Sequence, residues 1–191
     1  MTESIPTRLT GCFLIATPDM KDPRFKTAVI YICSHDESGA MGIMINKGRE
    51  GRMLSDMLEN IGIEGDVRVA NSPVLLGGPV DIDRGFVLHS SDYFKTETSL
   101  KLSDTLHLTS TKDILEALVK EEEAPEKAML AVGYSGWGAG QIEKELQDNA
   151  WIVADGNEDL IFDNDLDKKW TKALASLGIK PEMLSRTGGS A

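Results

Sequence analysis

The sequence predicts an α+β fold: a largely antiparallel, barrel-like β-sheet packed with helices, in one domain spanning residues 1–191. Three observations carry this. Apolar, partly β-branched runs cluster in the first half with glycine-bearing turns between them, as hairpins do. Helix and strand patterns alternate in the second half. A 191-residue chain that is 41% hydrophobic has enough apolar material for one real core. The ends, 1–8 and 186–191, carry no such pattern and are expected to be flexible.

Taken in order, "LTGCFLIA" (9–16) and "TAVIYICS" (27–34) read as strands, and the two prolines of "TPDMKDPRF" make the segment between them a loop. "HDESGAMGIMIN" places a polar turn with Gly39 before the apolar run Ala40 to Ile45. This is a hairpin signature, expected to have a loop longer than two residues. Met53, Leu54, Met57, Leu58 and Ile61 recur at helical spacing, with Gly62 as the stop. "DVRVA" (66–70) alternates like a half-buried strand. Residues 73–93 read as two strands around Gly77-Gly78-Pro79, and 100–109 as one or two more. "STKDILEALVKEEEAP" is a helix with an apolar stripe of Ile114, Leu115, Leu118 and Val119. Ser110 or Thr111 is its expected cap and Pro125 its end. "KAMLAVGYS" (127–135) is a buried strand, "WGAGQIEKELQDN" a helix and "AWIVAD" (150–155) a strand. Leu166, Trp170, Leu174 and Leu177 mark one face of a C-terminal helix, and "IKPEMLSR" adds a last turn.

The formal net charge of −11 excludes little about fold but disfavours direct nucleic-acid binding, which is built on clustered Lys and Arg. Two short basic spots, Lys47/Arg49/Arg52 and Lys168/Lys169, read as solvated faces. Cys12 and Cys33 fit neither a zinc nor a C-x-x-C spacing and sit in apolar runs, where cysteine packs as a small hydrophobe. No signal peptide and no membrane-length apolar run are visible, so the chain reads as cytoplasmic with no membrane partner.

The stretch that invites a chemical reading is "GYSGWGAGQ" (133–141), and each specific motif fails in it. A nucleophile elbow around Ser135 meets Trp137 where its second glycine belongs, and His35, His89 and His107 all lie upstream. A dinucleotide loop meets Gln141 at its last glycine, and a Walker loop meets Ala139 where its lysine belongs. His35-Asp36-Glu37 cannot converge on one ion. His89 is expected to bond to Ser90 or Ser91, and His107 to face outward. No catalytic residue, metal ligand or cofactor is assigned. What survives is general physics: a glycine-rich strand-to-helix turn presents free N–H groups at Gly136, Gly138 and Gly140, beside Gln141, to a small anion. Lys47 and Arg84, at strand ends, are candidates to assist. The competing reading gives the glycines to turning and packing, and the two cations to ordinary ion pairs.

"HDESGAMGIMINK", "LLGGPVDIDRGFVLHS", "GYSGWGAGQIEKELQDNAW" and "WTKALASLGIKPEMLS" together resemble the AlgH/YqgE family of bacterial proteins, from about Leu9 to Ser185. The resemblance implies a compact α+β fold with a barrel-like sheet, in the cytosol. It implies no established activity, though the family name is tied to transcriptional regulation of alginate synthesis. This chain departs from many relatives by ending in Gly188-Gly189-Ser190-Ala191 rather than a His-bearing tail. Three functions stay open. One is a non-enzymatic protein that binds a protein partner or a small anionic ligand. Another is a transcriptional regulator acting directly or indirectly. The third is an enzyme using the 133–141 loop.

Overall fold

The computed structural model describes residues 8–184 apart from Ala70, Phe94 and Thr96, so the ends expected to be flexible, 1–8 and 186–191, fall outside the described residues except for Arg8. Strands β1 (Cys12–Ala16), β2 (Val29–Asp36), β3 (Gly39–Met44), β4 (Gly48–Met53), β5 (Pro73–Leu76), β6 (Val80–Ser90), β7 (Ser99–Lys101), β8 (Leu106–Thr109), β9 (Ala128–Gly138) and β10 (Trp151–Asp155) form one curled half-barrel. The helices are α1 (Leu54–Asn60), α2 (Lys112–Ala117), α3 (Gln141–Gln147), α4 (Glu158–Ile161) and α5 (Leu166–Ser176), with 3-10 turns at Pro23–Phe25 and Pro181–Leu184. The main path is β10-β1-β2-β3-β9-β6-β8-β7, antiparallel throughout; the β5–β9 pair alone is parallel among the described residues. The predicted α+β, largely antiparallel class is the one observed.

Period-two alternation explains the unbroken apolar runs, because both faces of the sheet are covered. Phe13, Ile15, Val29 and Tyr31 point into the core closed by α4 and α5. Leu14, Ala16, Ile30 and Ile32 point the other way, against Ile142 of α3 and Trp137 and Trp151. Farther along the sheet, Val74, Val87, Leu130 and Val132 meet Leu54 and Leu58 of α1 and Ile114 of α2.

Several expectations need correction. The β2–β3 hairpin closes with Asp36 opposite Gly39, so its loop is the two residues Glu37-Ser38. Asp36 makes this tight turn cheap, since its Oδ1 accepts from the Ser38 N–H at 2.8 Å. Residues 66–69 form no strand. Thr111 precedes α2 but caps no backbone N–H; its hydroxyl donates to Asp113 instead. Residues 133–138 are not a loop, because β9 runs on to Gly138. β4 and α4 have no hydrophobic period to announce them: "GREGRM" is almost wholly exposed, and α4 has four residues.

Lys169 is the largest surprise. It lies fully buried in α5, not on a solvated face. Its Nζ donates to the Ile45 carbonyl at 2.9 Å and the Ile161 carbonyl at 2.8 Å, tying α5 to the end of β3 and to α4. Burial pulls its pKa down to about 7.

Candidate functional site

The glycine–tryptophan block is built around a carboxylate. Glu145 Oε2 accepts from Trp137 Nε1 at 2.9 Å and from Trp151 Nε1 at 2.8 Å. Glu145 Oε1 accepts from Gln141 Nε2 at 2.9 Å, and Gln141 Oε1 accepts the Gly138 N–H at 3.1 Å. One residue thus satisfies two largely buried indoles and locks the start of α3 to the end of β9. Glu143, on a different face of α3, bonds to His35 Nε2 at 2.9 Å. Ser135 is fully buried and donates to the Gly77 carbonyl at 3.0 Å, a packing role and not a nucleophile's exposure.

The glycines have separate reasons. Gly136 and Gly138 lie in the ladder with β3, opposite Met41 and Gly39. Gly140 takes φ +72° to enter α3, where a side chain would be strained. Gly78 lets the chain cross β9 at backbone contact, since a Cβ there would sit 2.2 Å from the Tyr134 carbonyl carbon.

A roomy cleft lies elsewhere. About 990 Å³ opens between β4, the start of β6, the Pro23–Phe25 turn and the start of α5. Its lining gathers Arg24, Lys47, Arg49 and Arg52, against Glu50, Asp165 and Asp167. Arg24 is bound to Asp22 at 2.7 Å and Asp165 to Lys168 at 2.7 Å. Lys47 Nζ donates to Thr27 Oγ1 at 3.0 Å, and partial burial pulls its amine below the ordinary lysine value. Arg49 and Arg52, both exposed, have no carboxylate at ion-pair distance among the described residues. Apolar side chains complete the cleft, and two stand well out of the core: Leu76 is 40% exposed and Ile82 61%. Apolar walls with a few convergent charges suit recognition of an amphiphilic anion.

A second cleft, of about 490 Å³, adjoins the first across Arg24, Phe25 and Pro79 and is lined in part by Gly136 and Gln141. The six residues singled out in the sequence are therefore dispersed. Lys47 lines the first cleft, Gly136 and Gln141 the second, and Gly138 and Gly140 neither. Arg84 donates to Ser110 Oγ at 3.0 Å and lies 5.3 Å from the Phe86 ring centre. Among the described residues neither Lys47 nor Arg84 makes the carboxylate pair that the competing reading expected; each bonds to a hydroxyl. The sequence puts Arg49 and Arg52 on a solvated face, because a short basic run in a polar stretch has no signature separating a cleft from such a face.

All three histidines are buried. His89 donates from Nδ1 to the Ser90 carbonyl at 2.8 Å, and its Nε2 meets Thr109 Oγ1 at 2.8 Å. His107, expected outward, is 5% exposed, with its ring edge-on to His89. Among the described residues no three His, Cys, Asp or Glu side chains converge as metal ligands, and no helix is long and apolar enough to cross a membrane.

A family model described as AlgH-like matches residues 13–182. A UPF0301 protein of Caulobacter vibrioides is 44% identical over 183 residues, covering 96% of this chain and 94% of its own. A UPF0301 protein of Ruegeria pomeroyi is 48% identical over 184 residues, covering 96% and 99%. The solution structure of the AlgH protein from Pseudomonas aeruginosa superposes with TM-score 0.77 at 38% identity, over 100% of both chains. A crystal structure of a Corynebacterium diphtheriae protein has TM-score 0.75 at 18% identity, covering 97% and 94%, a likeness of fold alone.

Proposed function

The chain belongs to the AlgH-like family, and from that premise we propose that it is a binding protein, not an enzyme, whose site is the basic cleft beside β4. Its ligand is anionic with an apolar part. One observation carries this reading: in a chain of net charge −11, Arg49 and Arg52 stand without carboxylate partners among the described residues, at a cleft that also exposes Leu76 and Ile82. Unpaired surface cations beside uncovered apolar side chains are what recognition of an amphiphilic anion requires. Gly136 and Gln141, in the adjoining cleft, extend the surface available to a larger ligand. The same acidity weighs against direct contact with nucleic acid, so a regulatory role would run through a protein. Cytoplasmic placement accords with a buried free thiol at Cys33.

The test is thermal unfolding in the presence of the amphiphilic anion decanoate, and of citrate, inorganic phosphate and polyglutamate, for the wild type and R49E/R52E. An upward shift in the wild type that the variant lacks supports the reading. No shift with any of these anions, or equal shifts in both proteins, defeats it.

A further inference from the structure

We infer that the basic cleft receives an extended acidic segment of a partner protein, laid as an added strand against two opened ladders of this sheet. The inference rests on the cleft being the binding site and names its occupant. In the β4–β5 pair, Gly48 faces Leu75 and Met53 faces Pro73, so residues 49–52 have no register partner. In the β6–β9 pair, Val80 faces Tyr134 and Gly85 faces Val132, so residues 81–84 have none either. Both four-residue segments are exposed, and both border the cleft, through Arg49 to Arg52 on one side and Ile82 on the other. Bulges of this kind end pairing and re-aim side chains beside binding sites. Asp81, within the second, holds φ +47°, a conformation that few non-glycine residues adopt.

Side-chain chemistry selects the class of strand. Ile82 lines the cleft, whereas its neighbours Asp81 and Asp83 do not. The cleft side therefore offers Ile82 and Leu76 to apolar residues and Arg49 and Arg52 to carboxylates, with Glu50 and Asp167 as the facing acids that no lysine holds among the described residues. A compact anion would leave Ile82, 61% exposed, uncovered; a strand alternating acidic and apolar residues would cover it while meeting the arginines.

The experiment is fluorescence anisotropy with a fluorescein-labelled peptide alternating glutamate and valine. The comparators are the same peptide N-methylated at alternate amides, a lysine–valine peptide, and unlabelled citrate as competitor. The glutamate peptide is expected to bind and to weaken about tenfold or more with N-methylation, in R49E/R52E and in I82D. All the substituted positions are exposed, and circular dichroism is the check that each variant folds. Equal binding of the N-methylated peptide, or of the lysine peptide, overturns the inference. Anisotropy that stays flat with the glutamate peptide, while citrate still raises the unfolding temperature, overturns it too but leaves the anion cleft standing. Failure of both ligands removes the two readings together.

Discussion

Trp137 and Trp151 donate their indole N–H groups to one and the same oxygen, Oε2 of Glu145, at 2.9 and 2.8 Å. The two rings stand edge to face with centres 6.1 Å apart. Trp137 is the last residue but one of β9 and Trp151 starts β10, so a carboxylate on the helix between them sets how the chain returns to the sheet.

Removing that carboxylate strands two mostly buried donors and the Gln141 amide. Glu145→Ala should cost about 2–4 kcal/mol in urea unfolding, and Glu145→Gln less, because one acceptor oxygen remains. A loss below about 0.5 kcal/mol for Glu145→Ala would show that the indoles find water instead.

Lys169 makes stability depend on pH. Its amine titrates near 7 in the folded protein against 10.5 for a free lysine. Between those values the unfolded chain binds the extra proton, so this contribution to stability rises with pH from about 7 to 10.5 and is flat below 7. The full span is of order 5 kcal/mol. Lys169→Met should abolish that climb, whatever its effect on absolute stability, which also includes two carbonyls left without a donor. Wild-type and variant curves that run parallel between pH 7 and 10 would refute a neutral buried amine.

His35 and His89 should be opposite tautomers. The Leu9 N–H donates to His35 Nδ1 at 3.1 Å, which leaves the proton on Nε2, facing Glu143. The Ser90 carbonyl at His89 Nδ1 places that proton on Nδ1, and Nε2 then accepts from Thr109. Long-range nitrogen–proton NMR distinguishes the two forms, and identical tautomers would contradict the geometry.

Cys33 should resist labelling in the native protein. Burial pushes its thiol up to about 12, and the partly exposed Cys12 is also raised, by burial first and Asp155 second. A disulfide reagent at neutral pH is expected to modify Cys12 slowly and Cys33 only after denaturant is added. Prompt modification of Cys33 would reveal an opening that the packing does not show.

Much of the sheet is legible in sequence because strands covered on both faces must be apolar throughout, as "CFLIA" and "VIYIC" are. The glycine block misleads for the opposite reason. Glycines read as loop, yet Gly136 and Gly138 sit in a ladder, in a strand that a neighbouring segment crosses at backbone contact. Lys169 falls at helical spacing from Leu166 and Ala173 in the apolar stripe of α5, a signal that its charge concealed. β4 could not be read at all, since an exposed bulged strand obeys no hydrophobic period. The candidate site suffered most: only Lys47 was singled out among the cations lining the basic cleft, because convergence of Arg49, Arg52, Leu76 and Ile82 is a product of topology.

The most direct test of the central claim is amide NMR titration of the protein with polyglutamate, followed residue by residue. Ligand binding in the basic cleft predicts that the largest shifts fall on residues 47–53 and 76–85 and vanish in R49E/R52E. Shifts confined to Gly136–Gln141, or none at all, would contradict it.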